Sequence, residues 1–143
     1  MKNIIAALVL LTALTSLAGK NGCVFSCSLP DKSDLTFEIN FDEKDQWNSS
    51  TTEPPLSPKK AKDLAIDFLK RDPFGYKMTG WSVSEIRLSR ESGDKKTEYW
   101  VYVITFEDKQ DKISVEGIPN VIIPVRMDGS IPKPKIRKPE ETK

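Results

Sequence analysis

The sequence predicts an α+β fold: one helix packed on an antiparallel sheet of three to four strands. Three observations carry that reading. One segment, and only one of any length, repeats apolar residues at helical spacing; four others alternate or run apolar over strand lengths; and their order is strand, long loop, helix, strand, strand, strand. That order is the one in which a helix lies on one face of an antiparallel layer.

Taken from the start of the chain, Lys2 precedes an uncharged, mostly apolar run over residues 4–14, and Ser16 and Ala18 follow at the −3 and −1 positions of a cleavage site before Gly19. This is the pattern of a secretory signal peptide. The alternatives are a retained membrane span, for which the run falls short of about 20 apolar residues, and lipidation at Cys23, for which Lys20, Asn21 and Gly22 are the wrong preceding residues. Residues 1–18 are therefore read as a leader, residues 19–33 as a cysteine-containing N-terminal segment, residues 34–131 as one α+β domain with its core at 56–131, and residues 132–143 as a Pro/Lys-rich tail. The expected location is periplasmic or secreted, with no stable membrane span after cleavage.

Cys23 and Cys27 are the only cysteines. In an oxidising compartment a local disulfide between them is expected, ahead of free thiols and of an intermolecular bridge. An extended backbone would hold them too far apart, so a bridge requires a bent or helical segment.

Leu35, Phe37, Ile39 and Phe41 alternate with Thr36, Glu38 and Asn40, the period of a half-buried strand. Residues 42–57 are polar and end in Pro54-Pro55, which marks a long loop. Ser57 then offers an N-cap hydroxyl and Pro58 sits at the first helical position, where its missing N–H costs nothing. Ala61, Leu64, Ala65, Phe68 and Leu69 form one stripe, Lys59, Lys60, Lys62, Asp63, Asp67 and Lys70 take the other faces, and Asp72-Pro73 stops the helix.

Residues 81–90 read as a strand with a fault in it. Trp81 and Val83 share one parity and Ile86 and Leu88 the other, which places a bulge near Ser84. After a turn at Ser92-Gly93-Asp94, residues 99–106 are almost continuously apolar or aromatic, as befits a central strand covered on both faces. Residues 121–127 make the last strand, at an edge because Pro124 has no N–H for a ladder. Asp128-Gly129 turns the chain, and the tail from Pro132 to Pro139 is expected to be extended.

Composition narrows the chemistry. The chain has 143 residues and no histidine, which removes Ser-His-Asp and Cys-His systems, histidine zinc sites and histidine acid–base catalysis. Loss of Lys2 with the leader leaves acidic and basic residues in balance, so no phosphate-neutralising surface for nucleic acid is expected. The clusters Asp42-Glu43-Lys44-Asp45 and Glu107 to Lys112 fit neither calcium loops nor a recognisable carboxylate pair and are read as solvated loops. No enzyme activity, cofactor or metal is expected.

The segments Leu56-Ser57-Pro58-Lys59-Lys60-Ala61-Lys62-Asp63-Leu64-Ala65, Tyr99-Trp100-Val101-Tyr102-Val103 and Val125-Arg126-Met127-Asp128-Gly129-Ser130-Ile131 resemble, in kind and order, the PepSY-like domains of exported bacterial proteins. The resemblance spans residues 56–131 and implies a small extracytoplasmic module that binds or restrains a peptidase or another envelope protein. A structural or assembly accessory of the envelope is the alternative. The family pattern offers no catalytic residues, so the candidates are contacts: Trp81, Trp100, Tyr102 and Arg126 are the expected partner-binding residues, on a face of the sheet that a single helix would leave open, or else the contact is the strand edge near Pro124.

Overall fold

In the computed structural model the chain begins with a hairpin, β1 (Gly22–Ser28) antiparallel to β2 (Asp34–Asn40). Its connection is a tight turn in which Leu29 N–H donates to the Ser33 carbonyl, Asp31 accepts from Ser33 N–H, and Lys32 adopts a φ of 66°. The structure describes residues 22–50, 52–75, 78–92, 97–109 and 120–139. The leader and its cleavage site, the Gly93-Asp94 turn, residues 110–112 of the second charged cluster and the last four residues lie outside them.

A 3₁₀ turn (Glu43–Asp45) and a polar loop lead to helix α1 (Pro58–Lys70), followed by β3 (Trp81–Ser92), β4 (Glu98–Asp108), β5 (Val121–Arg126) and the short β6 (Lys135–Arg137). The strands form two antiparallel three-stranded sheets, ordered β1-β2-β6 and β3-β4-β5. The α+β class and the helix-on-sheet packing are as the sequence predicts. The division into two sheets is not, and it comes from two strands at the ends of the described chain. β1 takes up the cysteine segment and pairs with β2 along its whole length, while β6 takes up part of the tail by pairing Lys135 with Thr36 and Arg137 with Asp34.

Helix α1 starts where its cap requires, with the Ser57 hydroxyl accepting from Lys60 N–H. Ala61 and Ala65 are completely buried on the β3-β4-β5 sheet, with Leu64, Phe68 and Leu69 packed around them. On that side of the sheet lie Tyr102, Ile104 and Phe106 of β4 and Val121, Ile123 and Val125 of β5. Gly129, at a φ of 86°, brings the turn after β5 so close that a Cβ there would stand 3.2 Å from Leu64 Cδ1. Only glycine meets both demands.

The parity fault in β3 is resolved by the register. Val83 pairs with Phe106 and Glu85 with Thr105, so Ser84 is an extra residue, its hydroxyl donating to the Thr105 carbonyl. The inserted residue restores phase: Trp81 and Val83 before it and Leu88 after it all pack on the helix-covered core.

Pro124 sits on the last strand of its sheet, and its missing donor falls on the outward side. Ile122 N–H turns away from β4 to the Cys27 thiol, and Arg126 N–H to the Ser130 carbonyl; Pro124 lies between them at the same parity.

The reverse face of β4 is where expectation and structure part. Tyr99, Val101 and Val103 are covered by Ile39, Phe41 and Cys23 from the other sheet, with Phe41 stacked on Tyr99 at 5.3 Å. β2 and the residue after it thus serve two cores with one face, Leu35 and Phe37 on the helix side and Ile39 and Phe41 behind the sheet. Among the described residues, no open apolar face of β4 remains for a partner.

Replacing Ala65 by Leu should destabilise the protein by about 1–3 kcal/mol, because a fully buried alanine under the helix leaves no volume for the added carbons. Lys59→Ala, which removes only an exposed Lys59–Asp63 pair, should stay within about 0.5 kcal/mol of the parent. Chemical denaturation of both variants checks the contrast.

Candidate functional site

The four expected contact residues do not share a surface. Tyr102 is 1% exposed and its hydroxyl donates to the Leu56 carbonyl at 2.8 Å, which pins the loop before α1 to the central strand. Trp100 donates from Nε1 to the Trp47 carbonyl at 3.0 Å and meets the Trp47 ring edge-on at 5.0 Å. Both are structural anchors of the long loop. Trp81 is half-buried at the start of β3 and Arg126 closes β5, in unrelated surroundings.

Arg126 is engaged by an internal carboxylate. Asp45 is completely buried, and Arg126 Nε lies 3.0 Å from its Oδ1, with Nη2 on Oδ2. The same Nη2 donates to the Asn40 carbonyl and lies 3.1 Å from Asp42 Oδ2. Asp42 and Asp45 also cap the 3₁₀ turn reciprocally, the Asp42 side chain accepting from the turn and Asp45 from Asp42 N–H. The hydrogen bond that Arg126 donates to Asp45 raises the Arg126 pKa further above its ordinary value, and the bond from Lys44 N–H, followed by the nearby Arg126 charge, lowers that of Asp42. The first charged cluster is therefore not a solvated loop: one of its carboxylates is the anion of an interior ion pair. A D-x-x-D capping spacing is the local signal for the turn, but nothing local announces its partner.

The two cysteines lie on one face of β1, four residues apart. An extended strand separates such residues by about 13 Å, against Cα distances of about 4.4–6.8 Å across a disulfide. Both are free thiols, and the expected Cys23–Cys27 bridge is excluded by the strand that contains them. Burial pushes the Cys23 thiol up from an ordinary 9.0 to about 12, with Glu91 and Asp45 adding repulsion for a thiolate. Burial also raises Cys27, opposed by the Ile122 N–H that its sulfur accepts at 3.4 Å. Neither is a nucleophile at neutral pH. Among the described residues no three His, Cys, Asp or Glu side chains gather as a metal-binding group.

What sequence reading missed is a groove between α1 and the start of β3. It encloses about 590 Å³ and is walled by Ile66, Leu69, Met78, Trp81, Val83 and Phe106. Lys62 and Lys70 stand one helical turn either side of Ile66, on the same row of α1, and also line it. Lys62 thus belongs to a concave wall rather than to an open helix face. Such a volume falls within the usual range for small-ligand pockets. Of the four expected contact residues, Trp81 alone lines the groove. Ser82 lies in its wall, with an Oγ that is buried and has no hydrogen-bond partner among the described residues.

The second feature open to a partner is the outer edge of β3. Among the described residues this twelve-residue strand pairs only with β4, and it carries Ile86 at 40% exposure.

No family model, curated protein or solved structure matches this chain.

Both thiols should resist aqueous maleimide in the native protein at pH 7 and react fully after denaturation without reductant; a single shielded disulfide would give no labelling in either state. Because the raised Cys23 pKa means that the unfolded chain ionises first, Cys23 contributes stability below pH 9 that is lost as pH rises toward 12. Thermal melts of the parent and Cys23→Ala should converge over that interval.

Proposed function

We propose that this chain is an exported, non-catalytic binding module of the PepSY-like kind, which engages another extracytoplasmic protein through the free edge of β3. The edge carries the reading. Among the described residues β3 is a terminal strand of twelve residues, and an extended segment of a partner adds to such an edge by main-chain hydrogen bonds. Natural edges are guarded against indiscriminate pairing by charges and bulges. Here the bulge at Ser84 and the charges of Glu85, Arg87 and Arg90 play that part, and they restrict the edge to a partner strand of matching charge order.

Three further observations support the reading. The α+β layer of α1 and β3-β4-β5 has the element order on which the PepSY-like resemblance rests. The described carboxylate buried in the interior, Asp45, is committed to an ion pair with Arg126 that joins the two sheets. The pattern of residues 1–18 supports export, and a buried Cys23 and a half-buried Cys27, both with raised thiol pKa values, suit an oxidising compartment, where a reactive thiol would be lost to side reactions.

Intact mass of the exported protein should begin at Gly19; a product retaining Met1 would remove the extracytoplasmic part of the proposal. A photo-crosslinking residue at Ile86 should give one discrete adduct in the native envelope, weakened by Glu85→Lys, and the same group at Lys59, on the exposed side of α1, should give none. Identical adducts from both positions, or no dependence on Glu85, would contradict the edge as the contact.

A further inference from the structure

We infer that the groove between α1 and β3 is a binding site for an anionic amphiphile, a long-chain carboxylate whose alkyl chain lies along the apolar wall and whose head pairs with Lys62. This site is distinct from the β3 edge and does not depend on a protein partner.

The argument starts from what the wall can satisfy. Ile66, Leu69, Met78, Trp81, Val83 and Phe106 contribute side chains from three elements and the segment before β3 to one concave surface. A peptide laid there would bring an N–H and a C=O for every residue, each costly to bury unpaired. The wall offers few partners: the hydroxyl of Ser82 is itself enclosed, and the polar side chains are Thr79 and the charged groups of α1 and its C-terminal turn. An alkyl chain makes no such demand, and each buried methylene contributes about 0.8 kcal/mol.

The head group follows from charge. Among the described residues of the lining, Lys62 and Lys70 stand against one carboxylate, Asp72, which leaves an excess of one positive charge there. Lys70 is already paired with Asp67 at 3.2 Å. Lys62 makes no ion pair among the described residues, although it is only half exposed and lies on the groove. Its aliphatic stem adds to the apolar wall while the ammonium stays at the rim, the usual disposition of a lysine beside a lipid chain. A carboxylate at that rim gains a charge-assisted hydrogen bond. A cationic head would meet two lysines.

The test uses the purified protein and three probes with the same alkyl chain, all below their micellar concentrations: laurate, dodecanol and dodecyltrimethylammonium. By titration calorimetry, laurate should bind at one site and about tenfold more tightly than dodecanol, the value of one charge-assisted bond at the rim. Dodecyltrimethylammonium should bind more weakly than either. Lys62→Glu, a substitution at a half-exposed position that leaves the fold intact, should abolish the preference for laurate over dodecanol while leaving dodecanol binding unchanged. Val83→Asp, placed in the wall, should remove binding of both, with unchanged circular dichroism checking that the variant folds.

Equal affinity for laurate and dodecanol in the parent, tighter binding of the cationic probe, or a preference for laurate that survives Lys62→Glu would overturn the proposal. So would saturable binding of a capped oligoleucine peptide in the absence of laurate binding, which would give the groove to a protein segment, or concentration-dependent dimerisation that laurate fails to reverse, which would give it to a second copy of the chain.

Discussion

The ion pair between Arg126 and Asp45 is the constraint on which the arrangement of this protein depends. Two small sheets, each too narrow to bury its own faces, must dock in one relative position, and a single guanidinium gathers groups from both. It belongs to β5 in one sheet, donates to the carbonyl at the end of β2 in the other, and neutralises a carboxylate on the turn that begins the connection to α1. An unpaired Asp45 in that interior would carry a desolvation penalty of several kcal/mol. Docking in another register would therefore leave a buried charge uncompensated, whereas a purely apolar contact tolerates sliding.

From that junction the rest of the molecule follows in both directions along the chain. Upstream, β2 is fixed so that one apolar face divides between two cores, closing the reverse side of β4 with Ile39 and Phe41. Downstream, Gln46 bridges to Tyr99, Trp47 receives the Trp100 indole, and the Leu56 carbonyl receives the Tyr102 hydroxyl. Three successive points of β4 thus tether the long loop and deliver Ser57 to where α1 begins. The helix then lies on the sheet with Ala61 and Ala65 fully buried, and the Lys62, Ile66, Leu69 and Lys70 side of α1 forms one wall of the groove. Position of the groove and openness of the β3 edge are both consequences of where the helix has been placed.

Much of the fold was legible because it is written in local pattern. Ser57-Pro58 and the stripe through Leu69 define α1; the change of parity between Val83 and Ile86 locates the bulge at Ser84; Pro124 identifies a terminal strand. β1 is not legible from its sequence because the spacing of Cys23 and Cys27 suggests disulfide chemistry, whereas in the fold Cys23, Phe25 and Cys27 alternate along one face of a strand and cysteine packs there as a small hydrophobe. β6 is three exposed residues held by pairing to β2, and its composition matches that of an extended tail. The site is legible to a smaller degree. Asp45 and Arg126 are 81 residues apart, and one of them stands in a run of charges that resembles a solvated loop. The groove exists only once Lys62 and Ile66 of a helix are brought beside Trp81 and Val83 of a strand, so of the four expected contact residues only Trp81 belongs to its wall.

The junction is tested most directly by urea unfolding of Arg126→Met beside the double variant Arg126→Met, Asp45→Leu. The account predicts a loss of about 3–5 kcal/mol for the single variant, which strands a carboxylate in the interior, and recovery of a large part of it when that carboxylate is also removed. A single variant within about 0.5 kcal/mol of the parent, or a double variant no more stable than the single, would contradict it.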